Sequence, residues 1–311
     1  MKDSLHKPVL YKEIIHALQP RSSGRYIDAT VGAGGHARGL LEACAPDGRL
    51  LGLDIDPQAL ALARETLAPY GKRATLAQAS YASLLEAMQA IGWEAVDGIV
   101  LDLGVSSMQL DTPMRGFSFQ HEAPLDMRFN PTTGQSAAEL INTMKEDQLT
   151  EILFRYGEEP RARRVAKMIV DGRPILTTIQ LAQIVKRAYP GHSRIHPATR
   201  TFQALRIAVN DELATLERGL PRAVEALRPG GRLAVISFHS LEDRTVKEFF
   251  RRESRDQVNP PHEPIFEVER RAILKEINRK PITPGAEEIQ ENPRARSAKL
   301  RVAEKLPIFS E

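Results

Sequence analysis

The sequence predicts an α/β protein with a mostly parallel, Rossmann-like sheet, into which an all-helical domain is inserted. Short apolar segments alternate with helical patterns near the N-terminus, an alternation that is typical of parallel, doubly wound sheets. The fourth and fifth predicted strands are then separated by 130 residues, far more than one crossover connection needs. The length of 311 residues suits one large domain, or two with one inserted into the other.

The predicted strands are short apolar segments that end in turn residues. The first runs into glycines, and the second is followed by Asp56 and Pro57. An Asp at the N-cap with Pro at the first helical position is a strong helix start. The predicted strands are 26–31, 50–54, 74–79, 96–102 and 232–237, with late strands at 272–277 and 299–303.

The residues between the fourth and fifth strands have helical patterns. Ser136 with Glu139 forms a predicted capping box, and Thr177 with Gln180 has the same spacing. Apolar residues at helical spacing over 202–220 predict a further helix. We therefore predict an inserted helical substrate-recognition domain. Its bounds are 113–207, and the sheet domain comprises 1–112 and 208–311.

The composition excludes several classes of protein. No apolar run approaches the roughly 18 residues of a membrane helix, and the N-terminal residues lack the apolar core of a signal peptide. A cytoplasmic protein with no membrane partner is therefore expected. Cys44 is the only cysteine, which excludes an internal disulfide and a cysteine-based zinc site. His192 and His196 have helical spacing, but Pro197 follows and no acidic partner is evident, so no metal site is predicted.

Positive charge is concentrated in one segment. The net charge is +3, yet residues 155–206 contain 11 Lys and Arg against three Asp and Glu. Such a segment is typical either of a solvated helical face or of a surface that contacts nucleic acid. A second basic stretch lies at 292–299. The candidate contacts to RNA phosphates are Arg161, Arg163, Arg164, Arg200, Arg294 and Arg296.

The strongest functional signal is the glycine turn between the first strand and the helix that follows it. Glycines such as Gly32 and Gly34 let the backbone turn tightly and approach a ligand closely. Asp54 ends the second strand, where a carboxylate can accept hydrogen bonds from a ribose diol. This combination predicts a nucleoside-containing cofactor. NAD is one candidate, because Gly32, Gly34 and Ala37 match the dinucleotide fingerprint.

Three features favour S-adenosylmethionine (SAM) over NAD and hence a class I SAM-dependent methyltransferase. Asp28 precedes the glycine turn, where a carboxylate can face the amino-acid end or the sulfonium charge of SAM. Asp102 ends the fourth strand, and the 229–231 segment Pro-Gly-Gly leads into the fifth, as is usual in that class. Tyr81 follows the third strand and is a candidate to pack on adenine, although a core aromatic is an equal alternative. An NAD-dependent oxidoreductase remains the competing interpretation.

The methyl acceptor must be a group that attacks SAM directly. Methylation at cytosine C5 generally needs a cysteine nucleophile, and Cys44 lies on a helix away from the fourth strand. An amine, ring nitrogen or hydroxyl needs acceptors that hold it and let a proton leave. Asp102, Ser106 and His239 are the catalytic candidates, although the serine and the histidine are open to purely structural roles. Further acceptors predicted at this edge are Ser107, Gln109, Ser237 and Ser240.

Seven segments of the chain carry more specific patterns: 6–10, 28–36, 102–107, 115–119, 196–204, 237–244 and 292–297. Through them the chain resembles, nearly end to end, the RsmH (MraW) family of bacterial 16S rRNA cytosine-N4 methyltransferases. The resemblance implies methylation of one cytidine in the decoding region of 16S rRNA in the small ribosomal subunit, with the helical insertion helping to hold RNA. The SAM contacts that it implies are Gly34, Gly35, His36, Asp54, Tyr81, Asp102 and Gln109.

Departures from the family pattern are small. Ala37 stands where serine is common, Met108 where proline is common, and Tyr81 where phenylalanine is common. The resemblance does not identify the group that accepts the amine proton, and a homodimer stays open. A non-catalytic RNA-binding assembly factor is the alternative outside the enzymes.

Overall fold

The computed structural model describes residues 8–189, 196–258 and 268–307. His192 and the first two residues of the 6–10 segment lie outside these ranges. The chain forms two compact units, a sheet unit made of Met1–Gly104 and Thr215–Glu311 and a helical unit made of Val105–Ala214. The predicted insertion 113–207 therefore falls inside a slightly longer helical unit, which begins directly after Gly104.

The sheet has seven strands in the order β3-β2-β1-β4-β5-β9-β8. Strands β1 to β5 are parallel, whereas β9 runs antiparallel to both β5 and β8. A short antiparallel pair, β6 and β7, lies apart from it. The strands are β1 Arg25–Asp28, β2 Arg49–Asp54, β3 Ala74–Gln78, β4 Val96–Asp102, β5 Leu227–Ser237, β6 Gln257–Val258, β7 Val268–Glu269, β8 Leu274–Glu276 and β9 Lys299–Lys305.

Helices follow the strands along the described part of the chain, as the alternating pattern predicts. They are α1 Tyr11–Leu18, α2 Gly35–Ala43, α3 Pro57–Leu67, α4 Leu84–Ala90, α5 Ser107–Asp111, α6 Ala137–Thr143, α7 Glu146–Gly157, α8 Ala162–Asp171, α9 Thr178–Arg187, α10 Ala198–Asn210, α11 Glu212–Ala226, α12 Ser240–Glu253 and α13 Ala286–Glu291. Four short 3₁₀ helices are Ala68–Arg73, Tyr81–Ser83, Pro113–Arg115 and Pro293–Ser297. Among the described residues, no helix has the length and apolar character to cross a bilayer.

The predicted Rossmann-like class is confirmed by the packing of the sheet. Successive residues of β4 alternate between two cores: Ile99 and Leu101 lie in one, and Val100 lies in the other. Both faces of a central parallel strand are thus covered, as a doubly wound sheet requires. Because the parallel strands share one direction, the carboxyl ends of β1, β2 and β4 meet at one edge of the sheet.

Three local predictions differ from the structure by more than two residues or in the number of elements. The first strand ends at Asp28, so that 29–31 belong to the glycine turn. Strand β5 begins at Leu227 rather than 232, because Leu227 already pairs with Val96 before the register shifts. The apolar stripe over 202–220 belongs to two helices, since Asp211 adopts a left-handed conformation (φ 49°) that ends α10.

The helical unit has its own core, formed by buried apolar residues of α6 to α10. Both predicted capping boxes are present. Ser136 and Glu139 begin α6, and Thr177 and Gln180 begin α9, each pair exchanging hydrogen bonds between one side chain and the other residue's backbone. The insertion is therefore a folded unit with defined helix starts.

Candidate active site

The glycine turn and Asp54 form one hydrogen-bonded structure. Gly34 has a φ of 87° and is the N-cap of α2, a left-handed conformation that glycine adopts without steric cost. The Gly32 amide donates to Oδ2 of Asp54 over 2.9 Å, and the Asp56 amide donates to Oδ1 over 2.9 Å. Asp54 therefore holds the turn in place as well as ending β2, a role that the sequence did not reveal.

The turn leaves space for a ligand on one side. A Cβ atom built on Gly32 would meet only the Thr30 carbonyl oxygen, at 3.9 Å. A Cβ on Gly35 would instead lie 2.4 Å from Cγ of Pro8, so this glycine is needed for close packing of the N-terminal segment. The open side at Gly32, next to a carboxylate, fits the predicted nucleoside cofactor.

Burial raises the pKa of Asp54, although the amides of Asp56 and Gly32 oppose that shift. Each carboxylate oxygen can accept more than one hydrogen bond, so the two backbone contacts do not use up the acceptor capacity of Asp54. The geometry is therefore compatible with a ribose diol at this carboxylate.

Asp28, His36 and Asp102 form a cluster of ionisable side chains at the same edge. Asp28 ends β1, Asp102 ends β4, and His36 lies in the first turn of α2. Nε2 of His36 lies 3.6 Å from Oδ2 of Asp102. Thr30 connects the two acids, because its amide donates to Oδ1 of Asp28 over 3.3 Å and its Oγ1 accepts from the Asp102 amide over 2.7 Å.

The electrostatics of this cluster are strongly coupled. Burial raises the pKa of Asp28 to about 7, against opposing contributions from His36 and the Thr30 amide. Burial lowers the pKa of His36, but the carboxylates of Asp102 and Asp28 outweigh it and the net shift is upward. Asp28 is only 1% exposed, so it cannot present its carboxylate to SAM in the way that the sequence suggested.

Tyr81 lies in the 3₁₀ turn after β3, with Ser80 capping the turn through a bond from the Ala82 amide. The backbone just before it is tied to the second strand, since the Ala79 amide donates to the carbonyl of Asp54 over 3.1 Å. A Cβ atom on Gly219 of α11 would lie 2.5 Å from Cδ2 of Tyr81. The ring therefore packs directly on a helix position that has no side chain, and Gly219 is a residue that sequence reasoning missed.

His239 has a structural role. It is the N-cap of α12, with Nδ1 accepting from the Glu242 amide over 3.4 Å and Nε2 lying 3.1 Å from Oε1 of Glu242. The other Glu242 oxygen accepts from the amides of Phe238 and His239. This is a structural role of the kind that the sequence left open, and catalysis by His239 stays a prediction.

Ser106 and Gln109 belong to the helical unit, where they are partners of each other. The Gln109 amide donates to Oγ of Ser106 over 3.2 Å, and the Ser106 amide donates to Oε1 of Gln109 over 3.1 Å. This capping box begins α5. The structural alternative for Ser106 is thus present, while its catalytic role and a SAM contact at Gln109 stay predictions.

The predicted RNA-binding arginines fall into two groups. Arg161 donates from Nη1 to the Ala188 carbonyl and stacks 4.7 Å from the Tyr189 ring centre, and Arg200 donates to the Glu158 carbonyl. Both side chains therefore make contacts within the helical unit that stabilise its fold. The second group comprises Arg163 and Arg164 on α8 of that unit and Arg294 and Arg296 in the sheet unit, all of which are exposed, as is Arg200.

An open glycine turn paired with an acid on the next strand, on a mostly parallel sheet, fits a SAM-dependent methyltransferase. Residues 3–306 match the MraW methylase family, and the chain belongs to that family. This membership sets aside both the NAD-dependent oxidoreductase and the non-catalytic assembly factor.

Proteins named ribosomal RNA small subunit methyltransferase H are similar along their whole length. The protein of Geotalea uraniireducens is 52% identical and covers 98% of this chain and 100% of its own. That of Thermomicrobium roseum is 52% identical, covering 97% and 94%. That of Magnetococcus marinus is 51% identical, covering 97% and 98%.

Proposed function

We propose that this protein transfers the methyl group of SAM to the N4 amine of a cytidine in the decoding region of 16S rRNA, acting on the small ribosomal subunit in the cytoplasm. The observation that carries the proposal is the 52% identity, over 98% of the chain, to a protein named for methylation of small-subunit ribosomal RNA. The N4 position and the decoding region follow from the resemblance of the sequence segments.

The cofactor contacts are proposed from the sheet edge. Asp54 would accept from the ribose hydroxyls, the turn at Gly32 and Gly34 would hold the amino-acid end, and Tyr81 would pack on adenine. SAM supplies an electrophilic methyl group when it is bound. The open side of Gly32, where a Cβ atom would have only one neighbour at 3.9 Å, is the structural feature that supports this placement.

Direct attack by an amine fits the chain better than covalent addition through cysteine. Cys44 is fully buried, and its Sγ lies 3.8 Å from the Leu41 carbonyl and 3.5 Å from Nη2 of Arg73. A thiol enclosed in this way cannot reach a base. Asp102, by contrast, is 26% exposed and ends the strand at the carboxyl edge of the sheet. We therefore propose that the Asp102 carboxylate holds the amine that accepts the methyl group.

The exposed arginines of α8 support an RNA substrate. Arg163 and Arg164 lie in the first turn of that helix, where the helix dipole disfavours positive charge by about 0.3–1 kcal/mol each. Among the residues that the structure describes, neither makes a side-chain hydrogen bond or ion pair, and Lys186 and Arg187 on α9 are exposed in the same manner. Stability of the helical unit does not explain the charges of Arg163 and Arg164, whereas binding of phosphates does. The target base would be unstacked to react.

The test is a methyl-transfer assay on small ribosomal subunits from cells that lack the enzyme, followed by mass identification of the modified nucleoside. We expect N4-methylcytidine at one position in the decoding region. The matched control is the Asp54→Ala protein, which should transfer far less at the same SAM concentration. Methylation of a different atom or a different RNA would contradict the proposal.

A further inference from the structure

The cluster of Asp28, His36 and Asp102 contains buried polar atoms that the fold does not satisfy. Oδ2 of Asp28, both ring nitrogens of His36 and Oδ1 of Asp102 have no hydrogen-bond partner among the described residues. Asp28 is 1% exposed and His36 is 5% exposed. Unpaired buried polar groups cost free energy, so an arrangement of this kind calls for a functional explanation.

The charges around His36 are almost all negative. Asp102, Asp28 and Glu288 of α13 face its imidazole, while the Tyr11 ring stacks at 6.4 Å. Asp28 in turn faces His36, Asp102 and Asp54. No arginine or lysine is among the groups that influence either residue most. Within this set only the imidazole can carry the compensating positive charge.

The backbone fixes where each oxygen of Asp102 can act. Oγ1 of Thr30 holds the Asp102 amide over 2.7 Å, and Oδ2 lies 3.6 Å from Nε2 of His36. A small approach converts that second distance into a hydrogen bond. Oδ1 of Asp102 is buried and has no partner among the described residues, so a ligand reaches this carboxylate at Oδ2, which can accept more than one hydrogen bond.

We propose that His36 and Asp28 are positioning residues for Asp102: the protonated imidazole holds the Asp102 carboxylate at Oδ2, Asp28 keeps that imidazole protonated, and Oδ2, the accessible oxygen, takes the proton of the acceptor amine. The inference rests on the proposed function for the identity of the amine. It assigns a proton acceptor, and it gives Asp28 a role although no ligand can touch it.

The step balances in atoms and charge. The lone pair of the amine nitrogen forms the new C–N bond while the C–S bond breaks, and the electron pair of that bond stays on sulfur. The nitrogen, now positively charged, passes one proton to Oδ2 of Asp102, whose carboxylate becomes a neutral acid. The exposed part of the Asp102 side chain then returns the proton to water.

The first experiment measures the pKa of the His36 imidazole by NMR in the full-length protein without ligand. Asp28→Asn removes a facing negative charge, so the pKa of His36 should fall by about one unit or more. Glu288→Gln is the matched control, since Glu288 also faces the imidazole but lies outside the proposed trio and should shift it less. An unchanged pKa of His36 in Asp28→Asn would overturn the proposal.

The second experiment measures single-turnover methyl transfer to the unmethylated small subunits as a function of pH. Asp28→Asn should lower the rate by about tenfold and shift the acidic limb of the pH–rate profile. The Kd for SAM should change by less than about twofold. His36→Gln, which keeps a hydrogen-bond donor, should retain more rate than His36→Leu. Equal rates for the two His36 variants would contradict the positioning role.

The two proposals fail in different ways. If the wild-type protein methylates no small subunit, the proposed function is wrong, while the NMR titration still decides whether Asp28 controls His36. If the wild-type protein is active and Asp28→Asn has a wild-type pH profile, only the positioning role is wrong. Melting temperatures and the Kd for SAM identify any variant that has lost its fold.

Discussion

The carboxyl edge of the sheet and the exposed arginines of α8 differ in what their proposed ligands require. At the sheet edge, Asp28 and His36 are buried, and Asp54 is tied to the backbone of the glycine turn. On α8, Arg163 and Arg164 are exposed. A small cofactor requires a built and partly dehydrated site, whereas a phosphate backbone requires only accessible positive charge. Substitutions at the edge should therefore act on SAM or on the reaction rate, and substitutions on α8 should act on RNA affinity.

The largest effect is expected at Asp54. Asp54→Ala removes the proposed acceptor for the ribose and releases the Gly32 and Asp56 amides. With hydrogen bonds to a charged group contributing about 1.5–3 kcal/mol each, we expect a loss of roughly 100-fold in SAM affinity by calorimetry. Asp54→Asn keeps one carbonyl acceptor for the turn and should lose less. An unchanged affinity in Asp54→Ala would remove the assignment.

Charge reversal on α8 tests whether its exposed arginines determine the affinity for RNA. Arg163→Glu combined with Arg164→Glu should weaken RNA binding by at least about tenfold and reduce the dependence of affinity on salt, because fewer counterions are released. The affinity for SAM should not change. The control is the pair Arg64→Glu and Lys72→Glu, which are exposed in the sheet unit. Equal losses in both double variants would show that net charge alone decides RNA affinity.

A smaller effect is expected at Gly219. An added methyl group would displace the Tyr81 ring, and with aromatic packing contributing about 1 kcal/mol, SAM affinity should fall by roughly fivefold in Gly219→Ala. In a Tyr81→Ala background the same change should have no further effect, since the two residues act through one contact. A loss that persists in that background would mean that Gly219 acts on SAM by another route.

The smallest effect concerns stability. The pKa of Asp28 is raised to about 7 in the folded protein, so stability is highest while Asp28 is protonated and is lost as pH rises towards that value. Asp28→Asn cannot ionise and should raise the melting temperature at pH 8 by a few degrees, roughly the effect of 1 kcal/mol. The gain should vanish near pH 4, and an equal gain at both pH values would contradict the raised pKa.

The parts of the fold that the sequence predicted depend on local chemistry. Asp56 with Pro57 begins α3, and Ser136 with Glu139 begins α6, because a helix N-terminus is determined within four residues. The glycine turn and Asp54 were equally visible, since the spacing of strand, turn and acid is itself the signal. The mostly parallel, doubly wound class of the sheet followed from its alternation with helices.

What the sequence could not show depends on residues that are distant in the chain. The bond between Thr30 and Asp102 joins positions 72 residues apart, and the contact between Gly219 and Tyr81 joins α11 to the turn before α4. An isolated glycine in a helical pattern is a cue for close packing, but it does not name the partner. The capping role of His239 was likewise hidden, because Asp, Asn, Ser and Thr are the usual caps.

The order of the strands in space also has a consequence for biosynthesis. β9 pairs with one edge of β5 through residues that include Leu300 and Val302. It is the last strand of the sheet to leave the ribosome. Until then β5 presents an open, apolar edge that other chains can pair with. The helical unit, encoded by one continuous stretch, is fully synthesised long before. A nascent chain therefore carries a complete helical unit while its sheet unit still needs protection from aggregation.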